Sequence, residues 1–227
     1  MNRLLLFDID GTLVRGGPAK GAFELAMEIV FGTAGLIDDY DFSGKTDPQI
    51  VRELLQAVGK DDSEIDAGLE DLWEEYLAEL TQRLPDHPMT VLPGVRGLLD
   101  HLTERGDVAL GLVTGNIIRG ARLKLGSVDL MGYFPVGGYG SDGETREELP
   151  PVAMRRAERN WGKTFSGSSV VVVGDTPRDV ECGQHWGTQT VAVATGRFDV
   201  EALEATGAGQ VLTDLADLTE SVDALLG

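Results

Sequence analysis

Apolar residues along this chain come in two textures. In residues 4–9, 108–113, 170–173 and 190–194 they run together at strand length with little alternation. Strands that are apolar on both faces belong to a parallel sheet covered by helices on either side. Between these runs the apolar positions recur every three or four residues, which predicts helices. Such stripes cover residues 19–31, with Ala22, Phe23, Ala26, Ile29 and Val30 on one face, and roughly 48–58, with Ile50, Val51, Leu54 and Leu55 inward. A longer stripe runs over about 63–84 through Leu69, Leu72, Trp73, Tyr76, Leu77 and Leu80, a set that reads as core. Further helices are predicted over 95–105, 117–125, 151–161 and 200–205, in a short segment holding Val180 and Cys182, and in the acidic C-terminus. Residues 134–139 are a weaker strand candidate, and Val211-Leu212 a last short one.

Local chemistry supports several of these starts. Thr46 or Asp47 can cap the helix that begins at Pro48, and Ser63 with Asp66 forms a capping signature for the next. The glycines of Gly137-Gly138-Tyr139-Gly140 read as a turn beyond the third strand. Alternating strands and helices predict an α/β, Rossmann-like doubly wound parallel sheet. The helical block at 16–90 interrupts that pattern after its first strand. It is expected to be an inserted α-helical cap, with 1–15 and 91–227 forming the core.

Composition narrows the function classes. The 227 residues are 42% hydrophobic and 25% charged, enough for a folded core, and carry a formal charge of −19. Nucleic acid and anionic membranes both need a basic surface, so neither is an expected partner. An anionic substrate would need a local cation. The single cysteine, Cys182, allows no intrachain disulfide, and no stretch approaches the ~18 apolar residues of a membrane span. Met1-Asn2-Arg3 leads into an apolar run too short for a signal-peptide core, so the expectation is a cytoplasmic protein.

Candidate chemistry gathers at strand ends. The first strand ends in Asp8, Asp10 and Thr12; the second in Thr114 and Asn116; the fourth in Asp175, with Asp179 four residues on. Alternation sends Asp8 and Asp10 to the same side. Taken alone, Asp10-Gly11 between apolar runs is also a strong hairpin signal. In parallel sheets, however, ligands bind at the carboxyl ends of strands, and clustered carboxylate oxygens there suit Mg²⁺. The three histidines, His87, His101 and His185, share no metal-ligand spacing.

Asp8-Ile9-Asp10-Gly11-Thr12 resembles the first motif of the haloacid dehalogenase superfamily. Val113-Thr114-Gly115-Asn116 resembles its second motif, and Gly174-Asp175-Thr176-Pro177-Arg178-Asp179 its fourth. The helical insertion between the first two is similar to that of phosphoglycolate phosphatases and β-phosphoglucomutase. The resemblance implies that Asp8 attacks phosphorus to give an aspartyl phosphate, and that Asp10 protonates the leaving oxygen and later deprotonates water. It implies Mg²⁺ held by Asp8, the Asp10 carbonyl and Asp175, with help from Asp179. Thr114 would donate to a transferring oxygen, and Gly11, Thr12, Gly115 and Asn116 would complete the phosphate site. The family expects a Lys or Arg before the fourth strand. The usual Lys-Pro pair is absent, and Arg146 is the best-placed cation, ahead of Arg155, Arg156 and Lys163. Gly44-Lys45-Thr46 resembles the cap loop that touches substrate, which makes Lys45 a candidate ahead of Lys20 and Arg52. An acid at position 10 favours phosphate esters over halide displacement, which has no alkoxide to protonate. The implied activity is a Mg²⁺-dependent phosphatase acting on phosphoglycolate, a sugar phosphate or a nucleotide, as a monomer or homodimer. A phosphomutase or a non-catalytic phosphometabolite-binding protein are the alternatives.

Overall fold

The computed structural model describes residues 2–227. In chain order, β1 (Arg3–Phe7) and β2 (Val14–Gly16) precede three helices, α1 (Ala19–Phe31), α2 (Asp47–Ala57) and α3 (Asp62–Arg83). Then come β3 (Met89–Val91), α4 (Val95–Glu104), β4 (Val108–Thr114), α5 (Ile118–Gly126), β5 (Val136–Tyr139) and α6 (Leu149–Trp161). The chain closes with β6 (Val170–Gly174), α7 (Pro177–His185), β7 (Gln189–Val193), α8 (Val200–Glu204), β8 (Gln210–Leu212) and α9 (Leu218–Leu226).

Six strands form one parallel sheet in the order β5-β4-β1-β6-β7-β8. The strand at its centre, β1, pairs Leu5 with Leu110 on one side and Val171 on the other. After β5 the chain returns to the far side of β1, so the winding direction reverses there. That reversal opens a crevice at the carboxyl ends of β1, β4 and β6. Both faces of β1 are filled. Leu4 and Leu6 pack with Ala153 and Ala157 of α6, while Leu5 and Phe7 join Leu98, Leu99 and Leu102 of α4. Each fully buried leucine stabilises by about 1.5–3 kcal/mol relative to an exposed one, so the strand that carries the first motif is firmly held.

The outlines follow the hydrophobic pattern, with four differences. First, β1 ends at Phe7, two residues earlier than expected. The Asp8 amide still donates to the Val173 carbonyl at 2.8 Å, but the chain then turns at Gly11, whose φ is +87°. Only glycine takes that conformation without strain. Second, β2 does not pair with β1, so Asp10-Gly11 is not a hairpin turn. It instead pairs antiparallel with β3, Val14 opposite Val91, and this ribbon flanks the helical segment at both its ends. Each of its strands has only three residues, too few for a period-two signal. Third, α3 is capped by Asp61 and Glu64 rather than by Ser63 and Asp66. Both pairs have the same three-residue spacing. Fourth, Gly137 and Gly138 lie inside β5, opposite Leu112 and Val113 of β4. Among the described residues no helix is long and apolar enough to cross a membrane.

Candidate active site

The buried half of the site is built from the ends of β1 and β6. Asp8 follows β1 and Asp175 follows β6; both are buried. Asp179 lies in the first turn of α7, which Thr176 caps and Pro177 opens. In that capping box the Asp179 Nα donates to Thr176 Oγ1 at 3.3 Å, and the Thr176 Nα donates to Asp179 Oδ2 at 3.0 Å. The cap locks the Asp179 carboxylate and leaves Oδ1 to accept from Arg146. Arg146 sits in a short 3₁₀ turn before α6, 3% exposed. One guanidinium nitrogen, Nη2, lies 3.0 Å from Asp8 Oδ1 and also pairs with Asp179. A single buried cation is thus shared between two carboxylates that the chain separates by 171 positions.

Charge balance here is incomplete. Asp8, Asp175 and Asp179 each bring one carboxylate oxygen within 4.8 Å of the others. Burial pushes the Asp8 carboxyl up to about 6; Arg146 pulls the other way, while Asp179 and Asp10 add repulsion. Asp175 is pushed up to about 8 by burial and by repulsion from Asp179 and Asp8. Burial works against the Arg146 charge too, but Asp179 and Asp8 outweigh it and raise its pKa. One guanidinium therefore does not neutralise three carboxylates, and its Nε has no hydrogen-bond partner among the described residues. An all-oxygen, anionic donor set of this kind fits a hard divalent cation.

Asp10 occupies a different setting. Its side chain is 44% exposed, and its Oδ2 accepts from Lys124 Nζ at 2.7 Å and from Asn116 Nδ2 at 2.8 Å. Asn116 also donates to Thr114 Oγ1 at 2.9 Å, which leaves the Thr114 proton free to point elsewhere. Lys124 is 6% exposed. Burial opposes its charge, but Asp10, with Tyr76 and Asp47, holds it protonated and raises its pKa.

The helical segment closes over this crevice. Gly115 is approached so tightly that a Cβ there would lie 2.0 Å from the Lys45 carbonyl oxygen. The Asp47 carboxylate accepts the Ile117 amide at 2.8 Å, and Arg146 Nη1 donates to the Gly44 carbonyl at 3.3 Å. Between the two parts lies a cavity of about 310 Å³, lined on the sheet side by Asp8, Asp10, Thr114, Asn116, Arg146 and Asp175.

A family model for haloacid dehalogenase-like hydrolases matches residues 3–187 of the chain. The chain belongs to that family. It is 30% identical over 201 residues to a phosphoglycolate phosphatase of Pseudomonas fluorescens (strain Pf0-1), covering 86% of this chain and 70% of the relative. A phosphoglycolate phosphatase of Aquifex aeolicus (strain VF5) is 30% identical over 198 residues, covering 86% and 85%. The fold is similar to the crystal structure of a hydrolase from Pseudomonas syringae, with a TM-score of 0.73 at 21% identity and all of both chains covered.

Against the residues expected for a haloacid dehalogenase-like hydrolase, the structure brings together Asp8, Asp10, Thr114, Gly115, Asn116, Arg146 and Asp175 around one cavity. Asp179 stands behind them, bonded to Arg146. Thr12 is fully buried and donates to Asp175 Oδ1 at 3.2 Å, so its hydroxyl serves a carboxylate and does not face the cavity. Gly11 makes the turn between Asp10 and Thr12 and does not line the cavity. Lys45 lines the cavity, but its ammonium is 2.6 Å from Glu53 and 2.9 Å from the Tyr40 hydroxyl. Arg52 pairs with Asp62, Asp66 and Glu144 and does not line the cavity. Lys124 was not among the expected residues. Its signal was a lysine at helical spacing from Ile117, Gly120 and Ala121, on the buried stripe of α5.

Proposed function

We propose that the chain is a Mg²⁺-dependent phosphatase that hydrolyses a small phosphate monoester through an aspartyl phosphate on Asp8. The observation that carries this reading is the shared cation: Arg146 reaches Asp8 and Asp179 together, beside Asp175, at the carboxyl ends of β1 and β6. The relatedness to phosphoglycolate phosphatases supports the same reaction class. Asp8, Asp175, Asp179 and the Asp10 carbonyl would hold the metal. When bound, Mg²⁺ would offset the carboxylate charge and that of the phosphate oxygens.

Each step then has a residue. The Asp8 carboxylate forms a bond to phosphorus while the bond from phosphorus to the substrate oxygen breaks. Asp10 gives a proton to the departing alkoxide, yielding the free alcohol. Arg146 orients Asp8 and balances its charge, and the Thr114 hydroxyl donates to the transferring phosphoryl group. In the second half, water attacks phosphorus, Asp10 takes its proton, and the Asp8 carboxylate departs as inorganic phosphate forms. Lys124 and Asn116 fix the Asp10 carboxylate for both transfers. Helices α1–α3 act as the cap and exclude bulk water, which strengthens every charge interaction beneath them.

The test is phosphate release from p-nitrophenyl phosphate by purified protein. Activity that disappears with EDTA and returns with Mg²⁺ supports the reading. Activity indifferent to chelation contradicts the metal assignment, and phosphate transfer between sugar hydroxyls without net release would identify a phosphomutase.

A further inference from the structure

The cations around the cavity are already engaged by the protein's own carboxylates. Arg146 is shared by Asp8 and Asp179, and Lys124 is bound to Asp10. Lys45, 11% exposed, is held by Glu53 at 2.6 Å and rests over the Tyr40 ring, 4.2 Å from its centroid. Lys20 pairs with Asp38 at 2.8 Å, and both are well exposed. A solvated cation of that kind contributes little to holding an anion. Withdrawing Lys45 from its site would break its pair with Glu53 and its contacts with Tyr40, leaving Glu53 to Tyr40 and Gln49. The helical segment also brings an acid, Asp47, to the lining.

Apart from Ser43 and Gly44, what remains on that side is apolar. Ala19, Phe23, Phe42, Ile50 and Tyr76 line the cavity opposite the phosphate-facing groups. These rings are braced by their neighbours. Phe23 meets Tyr76 edge-on with centroids 5.1 Å apart, and Phe42 meets Tyr40 edge-on at 5.2 Å. The wall is therefore preformed. Tyr76 is 1% exposed and lines the cavity, with the charges of Lys124, Asp47 and Asp10 acting on its hydroxyl. At about 310 Å³ the cavity sits at the small end for ligand pockets, room for a phosphoryl group and one ring or short chain.

We infer that the leaving group is uncharged and presents an apolar or aromatic face, so that the site takes an arylalkyl or alkyl phosphate monoester in preference to the phosphate ester of a carboxylic acid. A leaving-group carboxylate would lose water against Phe23, Phe42 and Ile50 with no uncommitted buried cation to receive it, a desolvation without compensation. An apolar face covers the same wall and releases its water. The inference rests on the phosphatase reading for the reaction, and on the cavity alone for binding.

Benzyl phosphate and 2-phosphoglycolate test it, because both release an alkoxide and differ in the charge of what it carries. With the Mg²⁺-loaded full chain, kcat/KM for benzyl phosphate should exceed that for 2-phosphoglycolate by about tenfold or more. Phe42→Ala should narrow that ratio by lowering the benzyl phosphate value. Equal values, or a preference for 2-phosphoglycolate, overturn the inference. Calorimetric titration of the Mg²⁺-loaded Asp8→Asn chain with each ester separates the two claims. If the native chain hydrolyses neither ester, yet benzyl phosphate binds more tightly, the phosphatase reading falls and the inference stands. Equal or tighter binding of 2-phosphoglycolate overturns the inference whatever the chemistry.

Discussion

Asp8 and Asp10 are two residues apart on one strand end, and the fold treats them oppositely. Asp8 is buried, with Asp175 and Asp179 for neighbours and a share of one arginine. Asp10 has a lysine and an asparagine, and its side chain is 44% exposed. The first arrangement is short of positive charge and holds its carboxylate still. The second has a lysine bound directly to it, though Asp47 also draws on that charge, and is open to water on one side. Attack on phosphorus needs a fixed, ionised oxygen whose repulsion is relieved when cation and substrate arrive. Proton transfer needs a carboxylate that can reach both an alkoxide and a water. The difference in setting matches the difference in proposed role, and it arises from the partners each carboxylate is given: Arg146 from the turn before α6, Lys124 from α5.

The sharpest break is at Asp8 itself. Asp8→Asn should lower turnover by about 10⁴-fold or more. The same change should raise the melting temperature of the metal-free chain, because it removes one of the clustered charges. Near-normal turnover of this variant would end the nucleophile assignment, and a lowered melting temperature would show that the buried side is not short of cations.

Removing each cation in turn probes the contrast directly. Arg146→Met leaves two buried carboxylates unpaired and should destabilise the fold by about 3–5 kcal/mol in urea unfolding. Lys124→Met leaves Asp10 able to turn to water but takes the cation from beside the buried Asp47, which keeps the Ile117 amide, so its cost should be smaller, about 1–3 kcal/mol. Its larger effect should be on rate: kcat reduced by about 10²-fold with an altered pH profile, since Asp10 loses its orienting partner. Equal destabilisation by the two variants would erase the distinction between the two sides.

The smallest effect is on pH and metal. The folded-state pKa values of Asp8 and Asp175, about 6 and about 8, lie above the ordinary value of 3.8. The metal-free fold therefore binds protons more tightly than the unfolded chain. The stability these groups contribute is complete below pH ~4 and is lost as pH rises through 6 and 8. Metal ligation competes with the same protons. Saturating Mg²⁺ should thus raise the melting temperature more at pH 8 than at pH 5, by about 5 °C. An equal shift at both values would place the metal away from these carboxylates.

The uneven legibility of the sequence follows the same division. Asp8, Asp10, Thr114 and Asp175 could be read because each ends a strand whose continuous apolar residues announce it. Arg146 could be read only as a position in a series of cations; the contact with Asp8 and Asp179 singles it out. Lys124 carried only a weak local mark, its spacing from Ile117, Gly120 and Ala121, and its partner Asp10 is 114 positions away. Lys45 shows the converse. Its loop pointed to substrate contact and it does line the cavity, but Glu53, in the second turn of α2, pairs with its ammonium. The β2–β3 ribbon joins two three-residue segments across the whole helical segment, a pairing with no local signature.

The most direct measurement of the central claim is to trap the phosphoenzyme. Asp10→Asn should slow hydrolysis of the intermediate, so acid quenching of this variant after mixing with Mg²⁺ and a radiolabelled phosphate ester should leave label on the protein. Peptide mapping should place that label on Asp8. Phosphate released with no labelled protein at any time, or a label on another residue, would contradict the account.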